Sequence, residues 1–156
     1  SLHMMNRPTE RARFLALETE AEIEAATEEF LRFDAPTPSM VRIAMQDHQL
    51  GDHAIKAGER IYAMIAAANR DPAIFDDADE LRIARSAKRH YAFGYGTHFC
   101  LGAPLARLEA AIAIPALHRR FPHMRLAAEP VWADGMTLRG PLQLRVSLGP
   151  IPGPAA

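Results

Sequence analysis

A chain of 156 residues with 49% hydrophobic and 24% charged side chains has the size and composition of one domain with a real core. A formal net charge of -1 argues against general nucleic-acid binding, and a single cysteine excludes a disulfide framework. No apolar run approaches the length of a membrane span and no signal peptide is evident, so no membrane partner and a reducing, cytoplasmic setting are the expectations.

The opening Ser1-Leu2-His3-Met4-Met5 fits a processed terminus, a recombinant one or a piece of a longer protein. Residues 8–33 read as helix, with Pro8 near the start and Phe14, Leu15, Leu17, Ile23, Ala26, Phe30 and Leu31 as the apolar positions. Along it Glu18, Glu20, Glu22 and Glu24 read as a solvated face. Glu29 and Arg32, three apart, share a face and can pair, although an exposed pair would contribute only about 0.3–0.5 kcal/mol.

Pro36 to Arg42 reads as extended, since Pro36 and Pro38 disfavour helix. Two short strands are expected around Arg42-Ile43-Ala44 and Ile61-Tyr62-Ala63, with turn residues Gly51-Asp52 and Ala57-Gly58-Glu59 between them. Residues 70–99 lack sustained periodicity, and an irregular stretch of that length is usually functional. The helix after Cys100 reads to about Phe121, stopped by Pro122, with Pro115 expected to bend it. Trp132 to Leu148 reads as a hairpin around Leu138-Arg139-Gly140-Pro141, and the tail from Gly149 to Pro154 as irregular.

The chain is organised around Phe93-Gly94-Tyr95-Gly96-Thr97-His98-Phe99-Cys100-Leu101-Gly102-Ala103-Pro104-Leu105-Ala106-Arg107. The cysteine stands between a glycine-punctuated loop and a helix start, where unpaired N–H groups and the helix dipole suit a thiolate. Gly94, Gly96 and Gly102 let the backbone approach something flat and close. Leu101, Leu105, Leu108 and Ile112 form a bulky stripe expected to pack into a core. Ala103, Ala106, Ala110 and Ala113 form a small face able to lie against a large planar ligand. The alternative is a buried, inert cysteine beside a glycine turn.

Phe-Gly-x-Gly-x-His-x-Cys-x-Gly-x-x-Leu-Ala-Arg resembles the cysteine-loop signature of cytochrome P450, the haem-thiolate monooxygenases, at every specified position. The resemblance continues in order through Glu29-x-x-Arg32 and Ala68-Asn69-Arg70-Asp71-Pro72. It implies a mainly α fold with small β elements (α+β), residues 1–156 forming the C-terminal portion of the P450 domain. It implies haem b as cofactor, with Cys100 as the proximal thiolate ligand of iron. Arg42 and His98 would bind the haem propionates, a sensible use of both side chains, with Phe93, Gly94, Gly102 and Ala106 also at the haem.

By the same resemblance Arg85 joins Glu29 and Arg32 in a structural triad. Arg82, Arg85, Lys88, Arg89, Arg107, Arg119 and Arg120 make the cysteine side basic: either a solvated face, or the dock for a ferredoxin-type or other electron-transfer protein. Pro36 to Val41 and the hairpin near Arg139 would form part of a pocket for a small organic substrate.

No Ala-Gly-x-x-Thr pattern occurs, and upstream of residue 8 there is no room for the long helix that carries the family's acid-alcohol pair. The resemblance therefore assigns no catalytic residue in this chain. The favoured reading is oxidation of an organic substrate with one atom of O2, by this chain completed with a missing N-terminal portion or a second chain. A stand-alone haem-binding module and an inactive truncated remnant are the alternatives. His90, His98 and Cys100 as ligands for zinc or another transition metal form a further one, although it lacks a familiar ligand spacing and leaves the glycines unexplained.

Overall fold

Where the sequence suggests one helix over 8–33, the chain folds as two in the computed structural model, which describes residues 1–86 and 88–150. A short α1 (Leu2–Met5) precedes α2 (Pro8–Leu15) and α3 (Glu20–Phe33). The break is set by a capping box: the Thr19 hydroxyl accepts from the Glu22 N–H, and the Glu22 carboxylate accepts from the Thr19 N–H at 3.0 Å. Such a cap is worth about 1 kcal/mol and fixes the start of a new helix after α2. Glu18, Glu20, Glu22 and Glu24 are exposed, as a solvated face requires.

Two nested antiparallel ladders follow. β1 (Met40–Ile43) pairs with β4 (Arg60–Ala63), placing Arg42 opposite Ile61, much as expected. Between them β2 (His48–Leu50) and β3 (His53–Ile55) make an exposed inner hairpin around Gly51-Asp52. After the single turn of α4 (Ile65–Ala68), residues 70–95 hold no regular element among those described. A 3-10 turn at Gly96–His98 leads to α5 (Ala103–Arg120), which runs through Pro115 without a break. Beyond it β5 (Arg125–Leu126) pairs with β8 (Val146–Ser147), and β6 (Val131–Trp132) with β7 (Pro141–Gln143), around the loop expected at 138–141. The tail beyond residue 150 lies outside the described residues. Among the described residues no helix is long and apolar enough to cross a membrane.

The core lies where α1, α2 and α3 meet the irregular segment: Met4, Phe14, Ala26, Phe33, Leu81 and Ile83, with Leu17, Phe30 and Ile114 against it. Burying each large side chain there contributes roughly 1.5–3 kcal/mol. Arginines tie the elements at their ends. Arg11 of α2 donates to the Phe121 and Met124 carbonyls at 2.8 and 2.7 Å, satisfying the C-terminal end of α5. Arg70 donates to the Phe33 carbonyl at 2.8 Å with its guanidinium 4.4 Å over the Phe33 ring.

The bulky stripe of α5 does not enter this core. Leu101, Leu105, Leu108 and Ile112 are 97%, 60%, 56% and 62% exposed, whereas Ala103, Pro115 and His118 are buried. The buried face of α5 is instead the side of Ala103, Pro115 and His118. Of the expected alanine face, Ala103 is buried within the chain, Ala106 and Ala110 are half-buried, and only Ala113 is exposed.

Candidate functional site

Two consecutive carboxylates on α3 organise the region. Glu29 and Arg32 lie one turn apart and point inward, 4% and 3% exposed. The Arg32 Nε donates to Glu29 Oε2 at 2.7 Å and its Nη2 to Oε1 at 2.9 Å, a bidentate fork. Arg85 Nε adds contacts at 3.1 and 3.2 Å, and the Arg82 backbone N–H donates to Oε1 at 2.9 Å. Arg32 spends its remaining donors on the carbonyls of Asn69, Ala78 and Glu80 at 2.9, 2.8 and 3.0 Å. The three expected residues therefore meet in one buried cluster that holds the irregular segment onto α3.

Glu28 is the residue the sequence left unassigned. Its Oε1 accepts from Arg107 Nε at 2.6 Å, and its Oε2 from Arg107 Nη2 at 2.9 Å and from His90 Nε2 at 3.0 Å. Burial works to raise its pKa, but the bonds and charges of His90 and Arg107 outweigh that and hold it at about 2. Arg107 is raised in return. The available signal was position: a carboxylate next to Glu29, with a histidine and an arginine flanking the cysteine motif.

The loop itself is shaped by glycine. Gly94 is buried with φ of +75°, and a Cβ there would sit 3.2 Å from Met40 Cε and 3.6 Å from the His98 carbonyl. Only glycine fits that backbone without strain. The contact brings β1 against the loop, and Arg42 shares the β1 face of Met40. The Cys100 N–H donates to the Phe93 carbonyl at 2.9 Å, closing the loop, and the Ala103 N–H donates to the Cys100 carbonyl at 3.2 Å.

α5 begins at Ala103 with Gly102 as its N-cap, so Cys100 lies two residues ahead of the cap rather than in the first turn. The thiol is exposed, which rules out the buried, inert cysteine. A Cβ on Gly102 would stand 3.9 Å from Sγ, an ordinary contact distance, so Gly102 lies directly beside the sulfur. Phe93 is half-buried beneath the Arg107 guanidinium, 4.7 Å from its ring centroid.

Arg42 and His98 are both exposed. The Arg42 guanidinium bonds the neighbouring Val41 carbonyl at 2.9 Å, and neither side chain forms an ion pair among the described residues. Their cationic or donor ends are thus available to an anionic group. An exposed thiol and two exposed side chains suited to carboxylates fit an anionic cofactor carrying a thiophilic metal.

The metal site from His90, His98 and Cys100 is not formed. His90 turns to Glu28, and no group of three His, Cys, Asp or Glu side chains could hold a metal among the described residues. The basic surface is thinner than its sequence suggests. Arg85 and Arg107 are taken up by Glu29 and Glu28, Arg82 pairs with Asp77 at 2.5 Å, and Arg119 donates to the Leu17 carbonyl at 3.0 Å.

The family model for Cytochrome P450 matches residues 23–132. The chain is 48% identical over 130 residues to the polyketide biosynthesis cytochrome P450 PksS of Bacillus subtilis (strain 168), covering 81% of this chain and 32% of that protein. The solved structure of the B. subtilis 168 bacillaene polyketide synthase cytochrome P450 PksS superposes with a TM-score of 0.88 at 42% identity, covering 94% of this chain and 38% of that one. P450BioI in complex with a hexadec-9Z-enoic acid ligated acyl carrier protein gives 0.86 at 38% identity, with 94% and 38% covered. The chain spans about a third of the length of the curated relatives it matches.

Proposed function

The chain belongs to the cytochrome P450 family, a family that implies a haem cofactor, and from that premise we propose that it presents the thiolate side of a haem-thiolate monooxygenase. The cofactor is haem b, and residues 1–156 are one part of a P450 domain. Cys100 Sγ would supply the thiolate that binds the iron, Arg42 and His98 would hold the propionates, and Phe93, Gly94, Gly102 and Ala106 would form the adjoining wall. When bound, the haem supplies reductive activation of O2 and transfer of one oxygen atom to a small organic substrate. The chain's own residues bind and orient that group.

The observation that carries this reading is the exposed thiol of Cys100, on a loop closed by the bond from the Cys100 backbone N–H to the Phe93 carbonyl. The bare stripe of Leu105, Leu108 and Ile112 supports monooxygenation by this chain together with further polypeptide, upstream or on a second chain. A ferredoxin-type donor is the electron source, docking near Lys88 and Arg89. A reducing cytoplasm suits the exposed thiol.

The test is the reduced, carbon monoxide-bound difference spectrum of the chain loaded with haem. The long-wavelength Soret band of a thiolate-ligated haem is expected, and Cys100→Ser removes it. The same band in the serine variant refutes the ligand assignment.

A further inference from the structure

Glu28 has no part in the triad beside it. From α3 its carboxylate reaches both flanks of the cysteine loop: His90 in the segment leading in, and Arg107 in the second turn of α5. Both partners are themselves committed to the loop. His90 Nδ1 accepts the Ala92 N–H at 3.2 Å, which leaves Nε2 to carry the ring proton and donate to Glu28. Arg107 covers the ring of Phe93, whose carbonyl accepts the Cys100 N–H. An unbroken series of contacts thus runs from Glu28 to the peptide unit that carries the thiol.

We propose that Glu28 is a positioning residue for Cys100, a clasp that holds both ends of the cysteine loop to α3 and so fixes where the thiol points. Its consequence for haem rests on Cys100 supplying the thiolate that binds the iron; the clasp itself concerns the loop alone. Only a carboxylate serves here, because it accepts a bidentate guanidinium and an imidazole N–H together. Glutamine would turn an amide N–H2 towards one of those donors. Glu29 holds the irregular segment upstream, so the two neighbours govern different stretches of backbone.

Hydrogen–deuterium exchange of the full chain without haem, and the reduced carbon monoxide-bound spectrum after haem is added, test this separately. Glu28→Gln and Arg107→Gln should each speed exchange across residues 91–102 by about tenfold or more, the scale of a lost charge-assisted bond. Exchange across residues 74–85 should not change, and the double variant should add little to either single one. With haem, both variants should shift part of the long-wavelength band to the shorter-wavelength form seen when thiolate ligation is lost, and Arg107→Lys should retain more of it than Arg107→Gln.

Unchanged exchange over 91–102 in Glu28→Gln overturns the clasp whatever the spectrum shows. Absence of the long-wavelength band in the unsubstituted chain overturns the ligand reading instead, and the exchange result still decides the clasp. If Glu28→Gln does not fold, His90→Gln releases one side only and carries the same exchange test.

Discussion

Replacing Glu29 by glutamine keeps the shape of the side chain and removes its charge, leaving the guanidinium groups of Arg32 and Arg85 facing each other without an anion. Their side chains are 2% and 9% exposed, so water cannot take over the lost compensation. Removing one partner of a buried ionic cluster costs on the order of 3–5 kcal/mol. A domain of this size is stable by only about 5–15 kcal/mol. The melting temperature should therefore fall by roughly 6–20 °C. Urea unfolding followed by far-ultraviolet circular dichroism measures the loss, provided the slope against denaturant is unchanged. Glu24→Gln, on the exposed face of the same helix, is the control and should stay within about 0.5 kcal/mol of the parent. A loss below about 1 kcal/mol in Glu29→Gln would show that the cluster is not held by its charge.

His118 is fully buried, and neither ring nitrogen has a hydrogen-bond partner among the described residues. Burial, then the charges of Arg11 and the chain N-terminus, lower its pKa from 6.5 to about 4. The unfolded chain therefore binds the extra proton between those values, and stability present above 6.5 is lost as pH falls towards 4. His118→Leu should cost little near neutral pH and melt higher than the parent in mild acid; parallel acid losses in both proteins would refute this. Gly94→Ala should lose about 1–3 kcal/mol in urea unfolding, mainly from forcing alanine into positive φ, whereas Gly140→Ala, with open space around it, should lose almost nothing. Equal urea midpoints for the two variants would count against the strain.

What the sequence made legible follows from how local the cause is. The β1–β4 pairing and the end of α5 at Phe121 follow from turn residues and from Pro122, which act within a few positions. The Glu29–Arg32 pair follows from helical spacing. The break after α2 was hidden although Thr19-x-x-Glu22 stood in plain view, because Leu17 and Ile23 carry the apolar pattern across it. The stripe of Leu105, Leu108 and Ile112 was misplaced for a different reason. Periodicity shows which residues are bulky but not which neighbour covers them, and the buried side of α5 carries Ala103, Pro115 and His118 instead. Glu28 was lost at the end of an acidic run whose first four members, Glu18, Glu20, Glu22 and Glu24, are solvated. Its partners are 62 and 79 residues away, a separation no local pattern reports.

The same distances explain why the thiol sits on a loop that lacks any ladder. Irregular backbone leaves its carbonyls to be satisfied from elsewhere. Here basic side chains do it: Arg32 serves Asn69, Ala78 and Glu80, Arg85 serves Asp76, Asp77 and Glu80, and Lys88 serves Ile74. A guanidinium offers five donors in a rigid fork, so one side chain can fix several peptide units that no strand pairs. Those forks are held in turn by Glu29, while the loop beyond them depends on Arg107 and Glu28. The position of Cys100 is therefore set by ionic anchors at two neighbouring positions of α3, and neutralising a carboxylate there should act on backbone many residues away while leaving the hydrophobic core of Phe14, Phe33 and Leu81 untouched.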